Sequence, residues 1–377
     1  MIPYGRQSIA DDDVAAVVEA LRSPHLTQGP RVKEFEEALS AYCGARYAVV
    51  VSSGTAALHA AYAAAGLGPG DEFITTAMTF VATANVGVWQ GARPVFVDID
   101  PATGNLNPSE IEAKINDKTK AIVPVDYTGR PADIEAINAI AKRHNLIVIE
   151  DGAQSLGGVL NGKRVGALAD LTTLSFHPVK LITTGEGGAI LTDNEKYYKI
   201  LKRFITHGVR YEDFIETKPG DWYFEMTDLG LNYRLSDLQC ALGLSQLKKL
   251  DRFLEKRRAL VRRYNEAFAL IKELIIPPAD DERVQSAWHL YTIRLRTDLI
   301  PTKREIFSAL RSRGVGVQVH HVPVHMHPYY RTHGYADVSL PETEKWYEAV
   351  MSLPLFPDLG EKEQQQVINT VLAVISR

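Results

Sequence analysis

The sequence predicts an α/β protein built on a mainly parallel sheet of about seven strands, followed by a smaller α/β domain. Three observations lead there. Short apolar runs alternate with helical segments from Tyr47 onward. The runs are mostly continuous rather than alternating, as expected of strands buried on both faces. The chain has 377 residues, against a soft prior of ~150 residues per domain, which suggests about two domains. The expected division is an N-terminal arm at 1–12, a large domain at 13–245 and a small C-terminal domain at 246–377.

Each element follows from its local pattern. Asp11, Asp12 and Asp13 open a first helix, where acidic side chains suit the helix dipole. Val14, Val17, Val18 and Leu21 recur there at helical spacing. A loop at 23–30 leads to a second helix at 31–42. The strand runs are 47–51, 72–75, 94–98, 121–125, 146–150, 171–176 and 189–191. Helical segments between them are 55–65, 81–89, 109–115 and 133–144. The aromatic, aperiodic stretch 207–234 is long for a loop, and long ordered loops are often functional. Residues 236–270 read as one long helix or two joined ones, with a stripe of Leu238, Leu242, Leu247, Leu250 and Leu254. After Pro277 and Pro278, a strand at 288–295, a helix at 302–313, a strand at 315–320 and a helix at 361–376 form the smaller domain.

Bulk composition excludes several function classes. With 42 basic and 46 acidic residues the net charge is −4, and no basic stripe points to nucleic acid. Two cysteines, Cys43 and Cys240, cannot make a disulfide framework. The first residues lack the apolar core of a signal peptide, and the apolar run 56–67 is too short to span a bilayer. The expectation is a cytoplasmic protein with no membrane partner.

In doubly wound sheets ligands gather at the carboxyl ends of strands. The first strand ends in Ser52, Ser53, Gly54, Thr55 and Ala56 as a helix starts, which makes either an ordinary helix cap or a phosphate site. Phe80 follows the second strand, as a core residue or as a ring that stacks on a flat ligand. Asp151 ends the fifth strand, with Gln154 just beyond, as a helix cap or as a partner for a protonated ring nitrogen. Ser175 ends the sixth strand and delivers Lys180, flanked by Val179 and Leu181 and followed by the glycine-rich 183–188. Alone, Lys180 reads as a surface lysine; desolvated, it is an amine that attacks carbonyls. Each signal is weak alone. Together they are the parts needed to hold pyridoxal 5′-phosphate. His320, His321, His325 and His327 cluster, but match no common zinc spacing, so no metal is expected.

The segments SSGTAAL, EDGAQSLGG, SFHPVKLITTGEGGAILTD and GLNYRLSDLQCALGLSQLKKL resemble the DegT/StrS-type nucleotide-sugar aminotransferases. The likeness runs from about Pro3 to the end, including LTQGP and SLPLFPDL. It implies the fold-type I, aspartate-aminotransferase-like architecture of pyridoxal phosphate enzymes. It also implies a covalent internal aldimine on Lys180, with Asp151 on the pyridine nitrogen and Phe80 stacked on the ring. Thr55, Ala56 and Ser175 would hold the phosphate, and Asn232 would reach the cofactor of a second subunit, so a homodimer would share its active sites. Gln154 would sit near the ring's 3′ oxygen, where many similar proteins carry His. Tyr4, Thr27, His320 and His321 would line the sugar-nucleotide site.

Some relatives that remove a sugar hydroxyl carry His at the lysine position, so Lys180 argues for amino transfer. Within the family, SFHPVK, LSQLKKLDRFLEKRR and VHHVPVH look most like the transaminases that make UDP-4-amino-4,6-dideoxy-N-acetyl-β-L-altrosamine for pseudaminic acid. The implied substrates are L-glutamate and a UDP-linked 4-keto sugar. Other expectations are a 4-aminotransferase for 4-amino-4-deoxy-L-arabinose or a dTDP-sugar, a Schiff-base lyase without the cofactor, and a cofactor-bound regulator.

Overall fold

A computed structural model describes residues 1–296, 298 and 302–375. The chain begins with helices α1 (Asp11–Arg22) and α2 (Pro30–Cys43). Strands and helices then alternate: β1 (Tyr47–Val51), α3 (Gly54–Ala64), β2 (Glu72–Thr76), α4 (Ala82–Trp89), β3 (Arg93–Val97), β4 (Thr119–Val123), α5 (Ile134–His144) and β5 (Ile147–Asp151). A small hairpin, β6 (Val159–Leu160) and β7 (Lys163–Arg164), precedes β8 (Leu171–Ser175) and β9 (Gly188–Thr192). Next come α6 (Glu195–Phe204) and the ribbon β10 (Val209–Arg210) with β11 (Glu225–Met226). Helices α7 (Asp237–Leu247) and α8 (Leu250–Phe268) follow, then β12 (Leu274–Ile275), β13 (Val284–Gln285) and β14 (Tyr291–Leu295). The remainder is α9 (Lys303–Ser312), α10 (Pro328–Tyr330), α11 (Pro341–Ala349), β15 (Val350–Leu353) and α12 (Glu361–Ile375).

The central sheet has seven strands in the order β1-β9-β8-β5-β4-β2-β3. Only β9 runs against its neighbours; the β5–β8, β4–β5, β2–β4 and β2–β3 pairs are parallel. Alternate residues of each strand enter different cores. Val49, Val51, Ile149 and Leu171 face α3 and α6, whereas Ala48, Val50, Leu174 and Leu191 face α2 and α7. Val148 and Ile122 pack on α5. Full burial of each valine, leucine or isoleucine among them stabilises the fold by about 1.5–3 kcal/mol.

A second core joins α8, α9 and α12 to the antiparallel sheet β12-β14-β15. Ile2 belongs to it, and Leu355 N–H donates to the Tyr4 carbonyl. The arm is therefore fastened to the C-terminal half.

Several expectations are corrected. Residues 109–115 form two short 3-10 turns, Pro108–Glu110 and Glu112–Lys114, because Pro108 and the short apolar run cannot sustain a longer helix. The expected strand 315–320 is an irregular segment that bridges Ile2 at Val315 and Ser352 of β15 at Gln318, flanking the sheet beside β15 without a continuous ladder. Of the two forms expected for 236–270, the structure takes the second, two helices joined at Lys248 and Lys249. On α1 the apolar stripe points outward: Val14, Val18 and Leu21 are exposed, while Asp13 is buried in an ion pair with Lys249. The expected end of the last helix at Ser376 lies outside the described residues.

Candidate active site

At the carboxyl edge of the sheet, Gly188 of β9 pairs with both Val51 and Ser175. A Cβ on Gly188 would meet the carbonyl oxygens of Ser53 at 2.6 Å and Leu174 at 2.7 Å. Glycine here lets the ends of β1 and β8 converge. Gly54 then passes so close to Ser175 that its own Cβ would lie 2.9 Å from the serine Cβ. The first turn of α3 and the Ser175 hydroxyl are thereby brought side by side. Thr55, in that turn, is exposed. The N–H of Ala56 is taken by Ser53 Oγ at 3.0 Å. Free N–H groups at a helix start, together with hydroxyls, can hold a phosphate.

Lys180 sits on the turn between β8 and β9. Its N–H donates to the His177 carbonyl at 2.9 Å, and Thr183 Oγ1 and Thr184 N–H both donate back to the Phe176 carbonyl. This fastens the glycine-rich stretch beside the strand end; His177 itself is exposed. Protein closes around the Lys180 amine although the side chain keeps some open surface. Burial pushes its basicity down to about 8, while the Asp151 charge acts the other way. An amine so poised is partly neutral near physiological pH and can act as nucleophile and proton carrier.

Asp151 ends β5, the strand next to β8. Its Oδ2 accepts from Thr83 Oγ1 at 2.7 Å and its Oδ1 from Ala153 N–H at 3.2 Å. Burial raises the Asp151 carboxyl above its usual range, and those bonds with Lys180 hold it back. Thr83 also bonds Thr79 Oγ1 at 2.8 Å. The sequence reading missed Thr83, because a threonine inside the apolar helix α4 carries no signal of what it faces. Gln154 is buried, its Oε1 accepting from Thr128 N–H at 3.0 Å. Phe80 stands 56% exposed, its ring 5.7 Å from that of His321. It is thus no core residue.

Imidazoles form the opposite wall. The His320 ring lies 5.1 Å from Tyr4 and 5.0 Å from His321. His320 Nδ1 bonds Ser352 Oγ at 2.8 Å. Burial, with Lys180 nearby, takes His320 down to about 4; burial, His320 and Lys180 take His321 to about 3. His289, which the sequence reading passed over, is buried and also feels the Lys180 charge; burial first holds it well below the usual histidine range. All three are neutral at pH 7 and able to donate or accept hydrogen bonds. His325 turns away to Glu344 at 3.4 Å and is buried rather than on the surface. His327 lines a separate cleft with Trp89 and Tyr329.

The structure thus gathers Lys180, Asp151, Gln154, Phe80, Thr55, Ser175, Tyr4, His320 and His321 along one edge. It does not gather Thr27 or Asn232. Thr27 is exposed and bridges Ser236; Asn232 is exposed and bridges Thr206. A cleft of about 970 Å³ between α2, α6 and residues 209–213 contains none of the candidate residues and is lined instead by groups such as the Glu36–Lys202 ion pair.

The donor set fits pyridoxal phosphate: a helix start beside the Ser175 hydroxyl, an exposed ring, a buried carboxylate and an amine of lowered basicity, in the order the sheet imposes. Comparison with known proteins agrees. Spore coat polysaccharide biosynthesis protein SpsC of Bacillus subtilis is 38% identical, over 99% of this chain and 97% of its own. The UDP-4-amino-4,6-dideoxy-N-acetyl-beta-L-altrosamine transaminase of Campylobacter jejuni is 37% identical, over 100% of this chain and 98% of its own. The solved structure of Helicobacter pylori PseC, described as an aminotransferase involved in the biosynthesis of pseudoaminic acid, superposes with a TM-score of 0.92 at 34% identity. It covers 100% of this chain and 99% of that one. A model of the DegT/DnrJ/EryC1/StrS aminotransferase family matches residues 7–372, and the chain belongs to that family of pyridoxal-phosphate-dependent sugar aminotransferases.

Proposed function

We propose that the chain moves the amino group of L-glutamate to C4 of a UDP-4-keto-6-deoxy-N-acetylhexosamine. The product would be UDP-4-amino-4,6-dideoxy-N-acetyl-β-L-altrosamine, a precursor of pseudaminic acid. The observation that carries amino transfer is the Lys180 amine, lowered to about 8, set between Asp151 and two neutral imidazoles. The relative named for the altrosamine reaction, alike along the whole chain, supports the substrate.

Bound at this edge, pyridoxal phosphate supplies an electron sink that lets a proton leave carbon beside the transferred nitrogen. Lys180 is the proposed covalent attachment point. It then carries that proton, at Cα of glutamate in one half-reaction and at C4 of the sugar in the other. Asp151 keeps the ring nitrogen protonated, and the Thr83 hydroxyl fixes the carboxylate facing it. Thr55, Ala56 and Ser175 hold the phosphate, with Ser53 releasing or sharing the Ala56 N–H. Phe80 covers one face of the ring, and Gln154 stands near its 3′ oxygen. His320, His321 and Tyr4 offer uncharged hydrogen-bonding groups to the keto sugar.

The proposed working unit is a homodimer in which Asn232 serves the second subunit's site. Its support is the exposure of Val14, Val18, Leu21, Trp222 and Phe224, apolar side chains that a second subunit could cover.

The assay is conversion of 4-keto sugar nucleotides with glutamate, with NMR of the C4 configuration in the product. The reading requires turnover with the UDP-N-acetyl sugar and none with Lys180→Ala. Borohydride reduction followed by peptide mass spectrometry should find the cofactor on Lys180. Mixing Lys180→Ala with Asn232→Ala chains should restore part of the activity, since one site of each mixed dimer is intact. Faster turnover of a dTDP-sugar or a pentose substrate would reassign the substrate within the family.

A further inference from the structure

Behind Asp151, across the sheet, lie two carboxyl groups that the transfer reaction does not use. Glu150 and Asp151 are consecutive on β5, so their side chains leave opposite faces. Glu150 and Asp126 are each fully buried. Asp126 Oδ1 accepts from Ala132 N–H at 2.8 Å and Oδ2 from Ser155 Oγ at 2.5 Å. Glu150 Oε2 accepts from Thr172 Oγ1 at 2.7 Å. Glu150 Oε1 is buried with no donor among the described residues. The parallel bridge between Val125 and Asp151 sets Asp126 on the same sheet face as Glu150, and the two carboxyls act on each other, with the Gly166 N–H also directed at Glu150.

Two buried carboxyls acting on each other without a cation between them disfavour being ionised together. A donor is missing on one side and an acceptor is available on the other. A single proton satisfies both.

We propose that Glu150 and Asp126 share one proton, and that this proton fastens together the two strand-end loops carrying Asp151 and Gln154. The geometry shows what it would fasten. Asp126 N–H donates to the Asp151 carbonyl at 3.1 Å. Thr128, two residues on, presents its N–H to Gln154 Oε1. Ser155, one residue past Gln154, donates to Asp126 and to the Gly152 carbonyl. Pushing the carboxyls apart would pull on every one of these bonds. Glu150 and Asp126 are positioning residues, acting on the site through Asp151 and Gln154.

Asp151 lies across β5, and its charge raises Asp126 further; Cys43 of α2 faces Glu150, and burial keeps that thiol up at about 12. Burial raises both acids, Asp126 to about 7 and Glu150 well above its usual range. The folded chain therefore keeps a proton that the unfolded chain releases above the ordinary carboxylate range. The stability this gives is full below that range and is lost as pH rises towards the folded-state values.

The test is thermal and denaturant unfolding of the full chain, with cofactor and without, from pH 5 to pH 9. Glu150→Gln carries its hydrogens permanently and can still accept from Thr172 and donate to Asp126. It should melt close to wild type at low pH and lack part of the alkaline loss. The ratio of the wild-type unfolding constant to that of the variant should rise about tenfold per pH unit while the extra proton is being lost. Glu150→Ala should lose stability at every pH, with Gln restoring what Ala removes. Parallel pH curves for wild type and Glu150→Gln would overturn the proposal. If Glu150→Gln does not fold, infrared spectra of wild type labelled with carbon-13 glutamate decide instead. A protonated glutamic carboxyl should persist at pH 7, and its absence refutes the shared proton.

Discussion

Replacing Thr83 by valine keeps the volume and branching of the side chain and removes only its hydroxyl. That hydroxyl donates to Asp151 Oδ2 at 2.7 Å in a buried setting and is bonded to Thr79 Oγ1. A hydrogen bond to a charged group contributes about 1.5–3 kcal/mol. At ~1.4 kcal/mol per factor of ten, cofactor affinity should fall roughly 10- to 100-fold if Asp151 must be ionised to pair with the ring nitrogen. Because the Thr83 bond holds the Asp151 carboxyl down against burial, the acidic limb of cofactor binding should also move to higher pH. The assay is titration of the cofactor-free chain with pyridoxal phosphate across pH, followed by absorbance. Thr83→Ser, which keeps the hydroxyl, is the control. If valine leaves both the affinity and the acidic limb unchanged, Thr83 does not set the state of Asp151. If serine costs as much as valine, packing rather than the hydroxyl is responsible.

Two further predictions test the other ends of the site. In the cofactor-free chain, amine-directed labelling of Lys180, read by peptide mass spectrometry, should be half-maximal near pH 8 rather than at the ordinary lysine value of 10.5; labelling that rises only near 10.5 would show that burial does not depress this amine. Gly54→Ala places a Cβ 2.9 Å from that of Ser175, which should destabilise the chain by about 1–3 kcal/mol and abolish the rise in melting temperature produced by inorganic phosphate. A variant that still responds to phosphate as wild type does would remove this helix start from the site.

Strands β1 to β5, β8 and β9 are visible as apolar runs because burial on both faces demands them. Asp151 and Lys180 are legible because each follows such a run at the edge where parallel sheets bind ligands. Thr83 and His289 are not, since each lies within an apolar or aromatic segment and its role depends on what lies opposite. Residues 315–320 have the composition of a strand but meet the edge of β15 at the isolated Gln318–Ser352 bridge, while β15 forms its ladder with β14 on the other side. The α1 stripe follows helical spacing, yet the inward position is filled by Asp13 because Lys249 waits there. Local pattern states that a face is apolar and leaves open what covers it.

The sequence by itself determined the α/β alternation, the strand ends that bear chemistry and, through its motifs, the family. These are local properties: runs of apolar residues, turn chemistry and spacing along one chain. The tertiary structure alone decided that β9 returns between β1 and β8, bringing Gly54 against Ser175 and setting Lys180 facing Asp151. It also decided that His289, His320 and His321 stand neutral around the amine, and that Glu150 meets Asp126 behind it. Those outcomes depend on distances between residues far apart in the chain and on the exclusion of water among them, which the order of residues does not express.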